Sequence, residues 1–115
     1  MQSDFDELTE LNHQISVTES AGDKQSLDGI LAPVVAFRRA SGAFDDRASF
    51  LEKVAPSIPR ETTIRSIDLV GQDRAVVTCV VSMPEGDQEK IFHNVRLFVR
   101  VQDSWKLLGW ANEPA

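Results

Sequence analysis

IFHNVRLFVRVQDSWKLLGWAN, residues 91–112, contains two runs rich in β-branched and aromatic residues, with a short polar link at residues 102–104. Such runs favour β-strands, and a link this short joins strands that are antiparallel neighbours. Two further runs of the same kind precede them, and turn-forming residues separate all four. The second half of the chain therefore predicts a four-stranded meander, with strands at residues 64–70, 75–83, 91–101 and 105–112.

The first half of the chain has helical periodicity instead. Apolar residues recur at spacings of three and four over residues 4–20, which places them on one face of a helix: Phe5, Leu8, Leu11 and Ile15. Asn12 and Glu19 interrupt that face, while His13 points away from it. Gly22 suits the left-handed cap that commonly ends a helix.

Two shorter helices and one short strand are expected next. Asp23 or Ser26 can cap a second helix, and Asp45 or Asp46 can cap a third. Pro33 would end the second helix, and the four apolar residues after it predict a short strand. Helices first and strands later predict an α+β fold, in which N-terminal helices cover one face of a curved, mostly antiparallel sheet.

Alternation along the third long run predicts the two faces of that sheet. One parity holds only apolar residues and is expected to face the helices: Val95, Leu97, Val99 and Val101. The other parity, expected to face outward, holds Asn94, Arg96, Phe98 and Arg100. His93 continues the first parity, so we expect it at the end of the buried face.

The neighbouring strands complete this expected face. Cys79 is predicted to point inward with the valines two residues on either side of it. Trp110 and Asn112 share one parity in the last strand, although a bulge there would shift the faces. Antiparallel pairing through the last turn brings Asn112 near His93, so both are expected to border one mostly apolar pocket.

Composition argues against several classes of function. The 115 residues fit one domain, residues 1–115, and their net charge of −6 disfavours binding to nucleic acid. No run approaches the length of a membrane span, and the acidic N-terminus does not resemble a signal peptide. Cys79 is the only cysteine, and His13 and His93 are too far apart for a metal-binding motif. We therefore expect a cytoplasmic protein with neither a metal nor another cofactor.

Several short motifs carry a family resemblance: Gly22-Asp23 before the second helix, Ser41-Gly42 after the first strand, and Asp45-Asp46-Arg47 at the third helix. Residues 103–112 add a turn, a tryptophan, a basic residue, aliphatic residues and a polar residue. With these motifs nearly the whole chain resembles the nuclear transport factor 2-like superfamily, above all its small bacterial polyketide cyclase-like (SnoaL-like) branch. It is also similar to the association domain of calcium/calmodulin-dependent protein kinase II.

The resemblance implies a cone-shaped half-barrel with a pocket between sheet and helices. Family members include isomerases, dehydratases, cyclases and non-enzymatic domains, so the fold leaves three functions open. The first is binding of a small apolar or amphipathic molecule, and the second is acid–base catalysis by an isomerase, dehydratase or cyclase. The third is a non-catalytic association or oligomerisation domain. A homodimer is expected, with Phe98, Val76 and Val80 forming an apolar patch on the outer face of the sheet.

Candidate site residues follow from these expectations. His93 is the candidate base of an enzyme, because its ordinary pKa lies near neutrality. The residues expected to contact a ligand are Asn12, Cys79, Leu97, Val99, Trp110 and Asn112. Asn12 is equally explained as a buried amide bonded to the backbone, and Cys79 as an inert apolar side chain. Glu19 lies near a helix end, where exposure to solvent is expected.

Overall fold

The computed structural model describes residues 3–115. Three helices lie in its first half: α1 spans Asp4–Ala21, α2 spans Lys24–Ile30 and α3 spans Arg47–Lys53. Each helix begins at a side chain that accepts a hydrogen bond from a backbone N–H of its first turn, and these caps are Ser3, Asp23 and Asp46. Of the alternatives that the sequence offered, Asp23 caps α2 and Asp46 caps α3.

Six strands form a single open sheet: β1 Leu31–Arg38, β2 Phe44–Asp45, β3 Glu61–Val70, β4 Arg74–Glu85, β5 Gln88–Val101 and β6 Ser104–Pro114. Their order in the sheet is β2-β1-β6-β5-β4-β3. The last four strands are the predicted antiparallel meander, and β1 lies parallel to β6. The α+β fold with N-terminal helices on a mostly antiparallel sheet is confirmed.

Two local features differ from expectation. Pro33 was expected to end the second helix, but α2 ends at Ile30 and Pro33 lies inside β1. The register between β1 and β6 shifts between Leu31 and Ala36, and a proline is tolerated in such an irregular segment because it supplies no ladder hydrogen bond there. Strand β2 was not predicted, since two residues carry no periodicity.

The link between β4 and β5 sets the faces of both strands. Glu85 pairs with Gln88 across two residues, and the same register continues along the whole hairpin. It pairs Cys79 with Asn94, so these two side chains share the inner face of the sheet. His93 pairs with Val80 and lies on the outer face.

The predicted face assignment of β5 was therefore wrong. Asn94 and Arg96 are each 1% exposed and Phe98 is fully buried, whereas Val95 and Leu97 are 44% and 41% exposed. Alternation pointed to the wrong face, because Arg96 finds a hydrogen-bond partner on α1 that the pattern of the strand does not reveal. Phe98 consequently belongs to the core and not to an outer patch.

A bulge in β6 corrects the faces of the last strand. The register to β5 shifts by one residue between Leu107 and Gly109, which leaves Leu108 without a partner in β5. Because of this shift, Trp110 and Asn112 lie on the inner face together with Leu107, although their parities differ. The bulge that the sequence left open is present.

The core lies between the helices and the inner face of the sheet, and its buried members include Leu8, Ile15, Leu27, Phe37, Phe50, Val77, Phe98 and Leu107. Gly22 ends α1 with a φ of 69°, and a Cβ at this position would lie 2.5 Å from the Pro56 nitrogen. Only glycine allows the segment after α3 to approach so closely. Within residues 3–115, no helix has both the length and the apolar character needed to cross a bilayer.

Candidate functional site

A buried arginine organises the polar interior of the cone. The Arg96 guanidinium donates to the Asn12 side-chain oxygen at 3.1 Å and to the Asn94 side-chain oxygen at 3.2 Å. Asn12 in turn donates to the Leu8 carbonyl at 2.7 Å. A buried charge costs less when its donors find partners, and here two amides accept from the terminal guanidinium nitrogens, while Arg96 Nε is buried without a hydrogen bond to a described residue.

Trp110 and Asn112 carry this network outward. The Trp110 ring lies 4.5 Å from the Arg96 guanidinium carbon, and its indole N–H donates to the Asn94 oxygen. Asn94 donates to the Asn112 oxygen at 3.0 Å. The stack and the hydrogen bonds fix the Trp110 ring as one wall of an open cavity.

The cavity lies beyond Trp110, between β4–β6 and the segments that follow β1 and precede β3. Its volume is about 300 Å³, at the lower end of the range for ligand pockets. The polar lining consists of Glu19, Arg39, Ser41, Arg60, Asn94 and Asn112, and the apolar lining of Ala40, Val81, Met83, Phe92 and Trp110. This is an amphipathic cavity, not the mostly apolar pocket that was expected.

A second hollow of about 280 Å³ adjoins the cavity under α3. Glu19, Arg39 and Arg60 line both spaces, so these three side chains stand between them. Lys53 lines the second hollow as well. The charged groups therefore concentrate where the two spaces meet.

Glu19 and Arg60 form a mostly buried ion pair. The distance between Glu19 Oε1 and Arg60 Nη1 is 2.8 Å, and the side chains are 15% and 19% exposed. Burial raises the pKa of the Glu19 carboxyl, against the opposing charges of Arg60 and Arg96. The expectation that Glu19 is exposed was wrong, because the loop after α3 brings Arg60 over the end of α1.

Arg39 is held at the cavity by Asp45. Asp45 accepts from Lys53 at 2.7 Å, from the Arg39 guanidinium, and from Ser49 at 3.1 Å. The hydrogen bonds from Lys53 and Arg39 lower the pKa of Asp45 to about 2. Asp45 thus stays ionised at any pH at which the protein would work, and it orients two cations.

The site carries an excess of positive charge in an acidic protein. Three cationic side chains, Arg39, Lys53 and Arg60, and one carboxylate, Glu19, line the two spaces, whereas the whole chain has a net charge of −6. A concentrated charge of this sign in a partly enclosed space attracts anions. Within residues 3–115, no group of three or more His, Cys, Asp or Glu side chains is placed to hold a metal ion.

The structure separates the predicted site residues into two sets. Trp110 and Asn112 line the cavity. Asn12 and Cys79 lie on the inner side of the sheet but are buried, with 0% and 2% exposure. Asn12 satisfies both the backbone and Arg96, and burial raises the pKa of the Cys79 thiol, which leaves it unreactive.

His93, Leu97 and Val99 form the second set, and their expected placement in the pocket was wrong. All three have the outward parity of β5, and His93 is exposed. His93 and Asn112 consequently lie on opposite sides of the sheet and cannot border one pocket. The error follows from the reversed face assignment.

Sequence reasoning missed Arg39, Arg60 and Arg96 as site residues. One signal pointed to Arg96: Asn12 and Glu19 interrupt the apolar face of α1, and buried polar groups require polar partners on the facing strand. That requirement fits the Asn94 parity of β5 and not the Val95 parity. Nothing comparable marks Arg39 and Arg60, which reach the cavity from irregular segments.

The outer face of the sheet holds an apolar hollow. Its lining includes Ala36, Phe44, Val95, Leu97 and Ala111, and its volume is about 310 Å³. Phe44 is 76% exposed. Exposed apolar side chains are therefore grouped on this face of the sheet.

The fold matches solved structures of nuclear transport factor 2-like proteins. One such protein from Cytophaga hutchinsonii has a TM-score of 0.85 at 15% identity, over 99% of this chain and 100% of its own. The calcium/calmodulin-dependent protein kinase II hub of S. rosetta has a TM-score of 0.73 at 20% identity, over 94% of each chain. The association domain of the C. elegans kinase has a TM-score of 0.77 at 13% identity, over 92% of each chain.

No family model matches the sequence, and no curated protein does. The structural likeness therefore carries the assignment. This chain has the nuclear transport factor 2-like fold and is similar in structure to the association domains of calcium/calmodulin-dependent protein kinase II, as its short motifs predicted.

Proposed function

We propose that the chain binds a small amphipathic carboxylate in the cavity beside Trp110. The observation that carries this proposal is the pair Arg39 and Arg60 on the wall of an amphipathic cavity, in a chain of net negative charge. Guanidinium groups are suited to carboxylates, because two parallel N–H donors match two oxygens.

The lining also suggests how the rest of the ligand lies. Val81, Met83 and Phe92 offer an apolar floor, and methionine adapts to irregular shapes. The Asn112 amide nitrogen donates to no other described residue, so it can reach a second polar atom of the ligand. A short acid with an apolar chain would satisfy all of these groups.

Calorimetric titration with hexanoate and with 1-hexanol tests the proposal, because the two share a chain and differ in charge. We expect hexanoate to bind and hexanol to bind at least about tenfold more weakly, since a charged hydrogen bond contributes about 1.5–3 kcal/mol. Equal affinities, or no binding of hexanoate, would contradict the proposal.

Matched variants locate the site. Arg39→Gln and Arg60→Gln are each expected to weaken hexanoate binding roughly tenfold, by the same charged hydrogen bonds. Arg65→Gln is the control, because Arg65 is exposed on β3 and does not line the cavity. A loss of equal size in the Arg65 variant would mean that the effect is nonspecific electrostatics.

An association function has its own support. The outer face presents Val95 and Leu97 at more than two-fifths exposure, beside Phe44. Two of the structural neighbours are named as a hub and an association domain. We therefore also propose a homodimer that covers this face, with Val95 and Leu97 in place of Phe98.

Sedimentation velocity tests the dimer. Leu97→Glu is expected to shift the protein to the monomer, because it places a charge in an apolar contact. Val17→Glu is the matched control, since Val17 is 60% exposed on α1, away from the sheet. A monomer in the unaltered protein, or equal dissociation by both variants, would refute the dimer.

The acid–base alternative based on His93 has no support, because that side chain lies across the sheet from the cavity. Residues 1–115 are taken to act as one domain, and the free buried thiol of Cys79 is in keeping with a reducing compartment such as the cytoplasm.

A further inference from the structure

Glu19 stands where an anionic ligand would have to bind. In the part of the chain that the structure describes, it is the one carboxylate on the wall of the cavity and of the adjoining hollow. Its oxygen lies 2.8 Å from Arg60, which is one of the two guanidinium groups proposed to hold the ligand. The protein thus supplies its own anion to the site.

The ion pair leaves hydrogen-bonding capacity unused. Glu19 Oε1 and Arg60 Nε are buried, and neither makes a hydrogen bond of good geometry to any described residue. A bidentate pair would align two N–H donors with two oxygens, and this pair does not. Arg60 can therefore gain hydrogen bonds by exchanging Glu19 for a carboxylate that approaches from the cavity.

We propose that Glu19 is an internal competitor for the anion site: an arriving carboxylate takes Arg60 from Glu19, and Glu19 binds one proton from solvent. This inference rests on the proposed carboxylate site and adds its regulation. No covalent bond changes in the exchange. One anion and one proton enter the site, so its net charge is preserved.

The charges around Glu19 make proton uptake the favourable response. Arg60 approaches it from the segment before β3, Arg96 from β5 and Arg39 from the segment after β1. Lys53 of α3 lines the same hollow but is engaged by Asp45. Burial already outweighs the attraction of these cations for the ionised carboxyl, and a second anion at Arg60 would remove part of that attraction.

Anion affinity should therefore rise as the pH falls. A probe that stays ionised throughout isolates the protein's own titration, and hexane-1-sulfonate meets that need. Calorimetry at about pH 8 in buffers of different ionisation enthalpy counts the protons taken up. We expect uptake approaching one proton per sulfonate, and affinity that increases up to tenfold for each unit by which the pH is lowered toward the Glu19 pKa.

Glu19→Gln removes the competitor. It is expected to bind hexane-1-sulfonate roughly tenfold more tightly at about pH 8, with no proton uptake, since one pKa unit corresponds to a tenfold change. Glu52→Gln is the matched control, because Glu52 is exposed on α3 and should behave like the unaltered protein. If Glu19→Gln does not fold, the number of protons that the unaltered protein takes up per bound sulfonate tests the competitor role of Glu19.

The outcomes separate the two proposals. Binding without proton uptake, or with unchanged affinity in Glu19→Gln, overturns the competitor and leaves the anion site standing. Failure of both hexanoate and hexane-1-sulfonate to bind at any pH overturns the anion site, and the competitor with it.

Discussion

The two faces of β5 reverse the usual arrangement of a sheet, in which apolar residues are buried and polar residues are exposed. The face under the helices holds Asn94 and Arg96, each 1% exposed, while the face toward solvent holds Val95 and Leu97 at 44% and 41%. Polar residues lie inside because Asn12 on α1 supplies a partner for the guanidinium. Apolar residues lie outside beside a hollow that a second copy is proposed to cover. The comparison shows that burial follows available partners as much as residue type.

The largest difference in stability should separate substitutions at the neighbouring residues Arg96 and Leu97, which lie on opposite faces of β5. Arg96→Ala is expected to lower the free energy of unfolding by about 3 kcal/mol, because it opens a cavity and leaves the side-chain oxygen of the buried Asn12 without a donor. Leu97→Ala should cost less than about 1 kcal/mol in the monomer. Urea denaturation at low protein concentration measures both, and a larger loss for Leu97→Ala would reverse the faces again.

Asn12 tests the partner on the helix. Asn12→Ala is expected to destabilise by about 2 kcal/mol, because Arg96 loses an acceptor in a dry environment. His13→Ala is the matched control, because the His13 side chain follows Asn12 in sequence and is exposed on the far side of α1. It should change stability by less than about 0.5 kcal/mol. Similar losses for the two variants, in the same denaturation experiment, would remove Asn12 from the network.

Asp45 tests the ion pairs that hold Arg39 and Lys53 beside the cavity. Its pKa is lowered to about 2 from 3.8, so its contribution to stability is present above pH 3.8 and is lost as the pH falls toward 2. Asp45→Asn should therefore destabilise at neutral pH by about 1–2 kcal/mol, less than the full shift implies because Lys53 is half exposed. Below pH 2 the variant and the unaltered protein should converge, and a constant difference would contradict the assignment.

The smallest effect should come from the outer face. Val95→Thr is expected to change the unfolding free energy of the monomer by less than about 0.5 kcal/mol, because the side chain is already 44% exposed. The same change should weaken self-association measurably in sedimentation. Loss of monomer stability with unchanged association would place Val95 in the core and not at an interface.

Much of the local structure could be predicted from the sequence. Apolar spacing located α1, composition located β3–β6, and the caps of α2 and α3 are among the residues that the sequence offered. The register of the β4–β5 hairpin was also within reach. A two-residue link at Gly86-Asp87 would have paired Cys79 with Asn94, and it would have shown that the inward assignments of β4 and β5 were incompatible.

The site was less predictable, and the reason is physical. Trp110 and Asn112 were found because they lie in a strand whose end is recognisable. Arg39 and Arg60 follow no periodicity, because each lies in an irregular segment between elements. Glu19 seemed exposed because a helix end usually is, and only the path of the chain after α3 covers it.

The sequence by itself determined the helices, the strands other than β2, and the fold class, since caps, turns and hydrophobic periods act between residues close in the chain. Only the tertiary structure decided which face of the sheet is inside, that Arg96 is buried, and that Glu19 meets Arg60. These outcomes depend on partners far apart in sequence, such as Asn12 for Arg96. Alternation along β5 favoured burial of the Val95 parity, so the orientation of this strand was settled by the elements that pack against it and not by its own pattern.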